Sequence, residues 1–92
     1  MYVLIKNLSG TGSERYSDPH GYSSWKEFWK ANKGYWPSIC SAIDCYKPAE
    51  VGAHVKKVYG GNQWYIVPLC SGCNHRTDSF YVEESMLVPI NR

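Results

Sequence analysis

The stretches that decide the fold are CSAIDC at residues 40–45 and CSGC at residues 70–73, which hold all four cysteines of this 92-residue chain. Four residues separate the first two cysteines and two residues separate the second two, so each pair can present its thiols close together. Tetrahedral zinc takes four thiolates at about 2.3 Å, and two such pairs supply that ligand set. We therefore expect the chain to bind one structural Zn²⁺ ion through Cys40, Cys45, Cys70 and Cys73.

Two other interpretations of the cysteines are open: a pair of disulfides, or a redox-active Cys-x2-Cys at residues 70–73. The apolar run at residues 2–5 is too short for a signal peptide or a membrane span, which favours the reducing cytosol and metal binding over disulfides. A redox pair typically accompanies a βαβ pattern, which this sequence lacks. We expect a cytoplasmic protein without a membrane segment.

The segment between the cysteine pairs is typical of a β-hairpin. Residues 51–58 and 64–69 are rich in β-formers, and residues 59–63 carry turn residues. A helix is predicted from Ser71 to about Phe80, and its free N–H groups would stabilise the thiolates at its start. The resulting order of knuckle, hairpin and helix is the treble-clef zinc-finger arrangement.

The flanking residues predict a strand at 2–5, a polar loop at 7–23 and an extended segment at 86–90. Ser24 and Glu27 form a capping-box pattern before an aromatic stripe of Trp25, Phe28 and Trp29, which indicates a helix over residues 24–32 that ends at Gly34. Such a stripe usually faces the core, so we prefer core packing to a base-stacking platform.

The fold class that follows is a small α+β single domain over residues 1–92. It consists of an N-terminal strand, loop and helix at 1–39, the zinc-binding treble-clef module at 40–83 and a C-terminal extended segment at 84–92. With 43% hydrophobic residues and 14 aromatics (4 Trp, 8 Tyr and 2 Phe), the chain has enough apolar bulk to be globular.

The overall charge gives no argument for a nucleic-acid partner. The formal charge is +2, and four thiolates with one Zn²⁺ change it to about zero (+2 − 4 + 2). Contact with DNA or RNA must then come from a local patch, for which the candidates are Lys56, Lys57 and Arg76. An ordinary solvated surface is the competing interpretation of these three charges.

Residues 40–78 resemble the HNH endonucleases that carry an additional four-cysteine zinc site. The resemblance rests on Cys40-x4-Cys45, on Gly52-Ala53-His54-Val55, and on Val67-Pro68-Leu69-Cys70-x2-Cys73-Asn74. It implies a ββα-metal module in which His54 is the general base that activates water against a phosphodiester. It also implies that Asn74 is a ligand of a second, catalytic divalent ion such as Mg²⁺.

The chain departs from the family at two of its catalytic positions. Ala53 stands where an acidic or histidine metal ligand is usual, and Tyr65 stands where the family has an asparagine that orients the base. Nearby residues that could substitute are Glu50, Asp78, His75, Asn62 and Gln63. The sequence therefore predicts a zinc-binding HNH-like module without catalysis that binds nucleic acid or a protein; the alternative is a metal-dependent endonuclease with His54 as its base.

Overall fold

The computed structural model describes residues 1–8 and 21–90. Five strands lie along these residues: β1 at Tyr2–Asn7, β2 at Val51–Lys57, β3 at Trp64–Leu69, β4 at Phe80–Glu83 and β5 at Val88–Ile90. Two α-helices accompany them, α1 at Trp25–Lys33 and α2 at Ser71–Asn74, and one 3₁₀ turn lies at Glu84–Met86. No helix within these residues is long and apolar enough to cross a membrane.

The strands form one antiparallel sheet in the order β4-β1-β2-β3-β5. The predicted hairpin is β2 and β3, paired from Val51 opposite Leu69 to Lys56 opposite Trp64. Strand β1 lies between β2 and β4, so the sheet joins strands from both sides of residue 40. The predicted small α+β single domain is confirmed.

Helix α1 begins and ends where its sequence signals predict. The Ser24 hydroxyl accepts a hydrogen bond from the Glu27 backbone N–H at 3.1 Å, which satisfies one of the donors left free at a helix start. Gly34 follows the helix with a left-handed φ of 84°, a conformation that costs glycine little. Most of the predicted polar loop, residues 9–20, lies outside the described residues, and β1 extends through Asn7 rather than ending at residue 5.

The predicted helix from Ser71 to Phe80 is wrong in length. Helix α2 ends after one turn at Asn74, and Phe80–Glu83 is strand β4. Pairing with β1, from Tyr2 opposite Glu83 to Ile5 opposite Phe80, satisfies the backbone of this segment and buries alternate side chains, which a continued helix would not achieve. The predicted extended segment at the C-terminal end contains the 3₁₀ turn and β5.

The two faces of the sheet have separate cores. We call the first the cysteine face; its buried residues are Ile5, Cys40, Ala42, Ala53, Val55, Val67, Leu69, Cys70, Cys73, Phe80, Val82 and Leu87. We call the second the helix face, since α1 packs there on β2 and β3. Its buried residues are Trp29, Ile66, Val88 and Ile90, with Trp25, Phe28, Trp36 and Trp64 packed around them. The aromatic stripe of α1 is thus core, as predicted.

Candidate metal centre

The four cysteines form one cluster at the edge of the cysteine face. Their Sγ atoms all lie within 4.8 Å of one another, and Cys45 Sγ is 3.7 Å from Cys70 Sγ. Four sulfurs bound at about 2.3 Å to a central ion are about 3.8 Å apart, so the cluster matches the size of a tetrahedral thiolate site. All four thiols are free rather than joined in disulfides. These residues can hold one metal ion.

A tight turn positions the first cysteine pair. The Cys40 backbone N–H donates to the Lys47 carbonyl at 2.8 Å, and Ile39 and Pro48 form an isolated antiparallel bridge. Within this loop the Cys45 N–H donates to the Ala42 carbonyl at 3.1 Å, and Asp44 has a φ of 64°, in the left-handed region that aspartate tolerates better than most residues. The turn brings both thiols to the same side of the loop.

The second pair lies at the first turn of α2. The Cys70 sulfur accepts a hydrogen bond from the Cys73 backbone N–H at 3.3 Å, so the first cysteine also caps the helix. Glu50 holds the same turn from outside: its carboxylate accepts from the Ser71 N–H at 2.9 Å. Glu50, one of the candidate substitute ligands, therefore contacts the helix backbone.

Asn7 on β1 anchors the other end of α2, a role that sequence reasoning missed. Its Nδ2 donates to the carbonyls of Cys73 at 2.9 Å and Arg76 at 3.0 Å. The Cys73 carbonyl also accepts from the Arg76 backbone N–H at 3.2 Å, so Asn7 adds a second donor where the helical turn ends. No local sequence signal could reveal a contact across 66 residues. The metal centre is thus attached to the N-terminal strand as well as to the hairpin.

Burial opposes the thiolate form of two of the four cysteines. Burial raises the pKa of Cys40 to about 12 and also raises the pKa of Cys73. Burial acts in the same direction on Cys70, but the Cys73 N–H and the neighbouring thiols donate to its sulfur and bring its pKa below the ordinary value. Four thiolates in this position need positive charge close by, and a divalent ion at their centre supplies it.

The two predicted catalytic residues belong to different parts of the domain. The His54 ring lies on the helix face, 4.8 Å from the Trp25 ring, whereas Asn74 ends α2 directly after Cys73 of the cysteine face. Helix α1 covers this part of the sheet and leaves His54 only partly exposed. Burial lowers its pKa to about 4, so the imidazole is neutral at pH 7.

The predicted basic patch is divided between the faces. Lys57 forms an ion pair with Glu84 at 2.8 Å and lies 5.3 Å from the centre of the Tyr65 ring. Arg76 forms a two-point contact with Asp78, at 2.9 Å and 2.6 Å, and lies over the Phe80 ring. Lys56 is next to Lys57 on the strand and so faces the opposite side of the sheet.

No family model, curated protein or solved structure matches this chain. Function must therefore be argued from its own residues and geometry.

Proposed function

We propose that this protein is a small zinc-binding module that acts by binding a nucleic acid or another protein and does not catalyse a reaction. The observation that carries the proposal is the cluster of four Sγ atoms within 4.8 Å of one another. A bound ion would fasten the loop of the first cysteine pair to α2. Such a crosslink stabilises a domain of this size, which has only a modest core.

The composition of the site supports zinc in a structural role. Four cysteines fill a tetrahedron and leave no position for water or substrate, which is the arrangement of structural rather than catalytic zinc. Three of the four, Cys40, Cys70 and Cys73, are buried, which keeps competing ligands away from the ion.

Three features support a binding role over hydrolysis. The HNH-like base position, His54, packs against Trp25 on the helix face, and a general base must be able to reach its substrate or an attacking water. Helix α2 has a single turn, so it offers little of the helix that holds the catalytic ion in HNH enzymes. Ala53, at the usual ligand position, has no metal-binding group and is buried in the cysteine face.

Elemental analysis of the purified protein tests the metal assignment. We expect one zinc per chain, with little retained in Cys45→Ser or Cys73→Ser, since each change removes a thiolate from the tetrahedron. Ser41→Ala is the matched control: it alters a neighbour of Cys40 whose buried hydroxyl has no hydrogen-bond partner among the described residues, and it should keep its zinc. A folded wild-type chain without bound metal would refute the assignment.

Incubation of the protein with plasmid DNA and Mg²⁺, Mn²⁺ or Ni²⁺ tests the absence of catalysis. We expect no cleavage above that of a His54→Ala control. Cleavage by the wild type that disappears in the control would overturn the proposal in favour of the endonuclease alternative. Equal cleavage by both proteins would point to a contaminating nuclease and leave the proposal standing.

A further inference from the structure

Among residues 1–8 and 21–90, the elements packed on the helix face cover only half of the sheet. Helix α1 packs on β2 and β3, while its contacts with β1 and β4 are few. Val3 and Ile5 of β1 and Phe80 and Val82 of β4 pack in the cysteine face, so the alternate side chains of these strands point to the helix side. We call the uncovered part the open sheet surface; it consists of Tyr2, Leu4, Lys6, Lys56 and Tyr81.

Two tyrosines lie at one end of the open sheet surface. Tyr81 is directly opposite Leu4, and Tyr2 is two residues from Leu4 on the same strand, so the tyrosines are diagonal neighbours about 7–8 Å apart at their backbones. Tyr2 is 59% exposed and Tyr81 is 47% exposed. Aromatic rings that stand side by side on an exposed sheet can each stack on a base.

Two lysines lie at the other end of this surface. Lys6 and Lys56 are directly opposite each other on β1 and β2, where like charges repel and destabilise the pairing. Within residues 1–8 and 21–90 neither amine has an ion-pair partner. Glu83 is directly opposite Tyr2, and its carboxylate accepts two hydrogen bonds from the Met1 amino group, at 2.8 and 3.0 Å. The surface thus has positive charge that an anionic partner would neutralise.

We propose that the open sheet surface binds single-stranded nucleic acid, with bases stacked on Tyr2 and Tyr81 and phosphates held by Lys6 and Lys56. The inference rests on the proposed binding function and names its partner. Stacking needs unpaired bases, and a flat sheet face has no helix or ribbon that projects into a duplex groove. Of the sequence-predicted basic contacts it retains Lys56 alone, since Lys57 and Arg76 are already paired with Glu84 and Asp78.

Fluorescence anisotropy with labelled oligo(dT), oligo(U) and a duplex of about 15 nucleotides per strand tests the inference. The wild type should bind both single strands more tightly than the duplex at about 50 mM salt and lose affinity at about 200 mM. The double variant Tyr2→Leu/Tyr81→Leu should lose at least about 10-fold in affinity, because base stacking on each ring is removed. The matched control is Tyr46→Leu/Tyr59→Leu, which removes two even more exposed tyrosines elsewhere and should bind as the wild type does.

The salt dependence tests the lysines separately. Lys6→Gln/Lys56→Gln should lower the slope of log affinity against log salt by about 1.4, the contribution of two single-strand phosphate contacts. Lys33→Gln/Lys47→Gln, which alters two exposed lysines outside the surface, should leave the slope unchanged.

Four outcomes would overturn the inference. Folded, zinc-loaded protein binds no oligonucleotide at low salt, or it binds the duplex as tightly as the single strands. The control variants lose as much affinity as the tyrosine variant does, or the protein self-associates and the tyrosine variant abolishes that association. The first leaves a zinc module with a protein partner, so the proposed function survives it. Zinc content is measured on the same samples. Single-strand binding through the two tyrosines by a metal-free chain would support the inference and refute the zinc assignment.

Discussion

The two faces of the sheet are stabilised by different means. The cysteine face combines small and medium-sized side chains such as Ala42, Ala53 and Val55 with three buried cysteines, whereas the helix face surrounds one fully buried tryptophan, Trp29, with further aromatic rings. The rings of Tyr35 and Trp36 contact the Trp29 ring edge-on, with distances of 5.3 and 5.5 Å between ring centres. The helix face is thus packed mainly by aromatic rings, whereas the cysteine face buries a single aromatic ring among the described residues, that of Phe80, and holds four thiols placed to bind a metal.

Metal removal should produce the largest effect and act first on the cysteine face. Structural zinc in finger peptides contributes about 10–16 kcal/mol of binding free energy, as much as the about 5–15 kcal/mol that stabilises a whole domain. Because β1 and β2 serve both faces, we expect a strong chelator to unfold the domain cooperatively. Loss of the amide NMR dispersion and of the near-UV circular dichroism of the tryptophans would report it.

Returning Zn²⁺ to the chelated sample should restore both signals, which separates metal loss from aggregation. If the near-UV signal of the tryptophans is kept while the amide NMR dispersion of the cysteine face is lost, the two faces unfold independently. If the metal-free chain gives the spectra of the native protein, the cysteine face does not depend on a metal for its stability.

Truncation of Trp29 should be the most damaging single change on the helix face. Trp29→Ala removes a buried indole and its hydrogen bond from Nε1 to the Met86 carbonyl, at 2.8 Å, and should lower the free energy of unfolding by about 3–5 kcal/mol. Zinc content should remain at one per chain wherever the variant is folded, since no ligand changes. Urea denaturation measures the loss.

Tyr59→Ala is the control for this comparison, because Tyr59 is 88% exposed and its truncation should change stability by less than about 0.5 kcal/mol. A loss below about 1 kcal/mol for Trp29→Ala would mean that the aromatic cluster does not stabilise the helix face.

The features predictable from the sequence are those whose cause is local. The cysteine spacings locate the candidate metal centre because the ligands of each pair are close in the chain, and Ser24 and Gly34 bound α1 because they satisfy its own end groups. The alternation of Phe80, Tyr81, Val82 and Glu83 is a strand signal, but the predicted helix extends to Phe80 because Cys70 and Cys73 mark a helix start.

The unpredicted features depend on pairing across the chain. Strand β4 forms because β1, nearly 80 residues earlier, offers it a partner. The hydrogen bond from Asn7 to the Cys73 carbonyl likewise joins residues that are far apart in the chain. The side of the sheet on which His54 lies follows from its alternation with Ala53 and Val55. Its burial does not follow, since that depends on where Trp25 comes to rest.

A side chain at Gly52 should separate α1 from the sheet. A Cβ there would lie 2.8 Å from the backbone C and O of Trp25 and 2.9 Å from the backbone N of Lys26, so the helix itself must move. We expect Gly52→Ala to lower the free energy of unfolding, measured by urea denaturation, by about 1–3 kcal/mol, as overpacking does. The matched control is Gly72→Ala beside the cysteines, where a Cβ meets nothing within 4 Å. If both changes cost the same, the close approach of α1 is not a constraint.

Acid should weaken the helix face through His54, the smallest effect of the four. Burial lowers the pKa of this ring from 6.5 to about 4, so as pH falls the unfolded chain takes up the proton first. The stability that comes from the neutral ring is therefore complete above about pH 6.5 and is lost progressively as the pH falls toward 4. Because the ring is partly exposed and solvent screens its charge, we expect a loss of about 1 kcal/mol between pH 7 and pH 5.

Acid also protonates the thiolates, so the His54 contribution must be measured as a difference between two proteins. The free energy of unfolding of the wild type should fall by about 1 kcal/mol more than that of His54→Gln over this range, since both share the same cysteines. Titration of the imidazole by NMR gives the folded-state pKa directly. A value near 6.5, or parallel pH profiles for the two proteins, would show that α1 does not shield the ring, and acid sensitivity would then belong to the cysteine face alone.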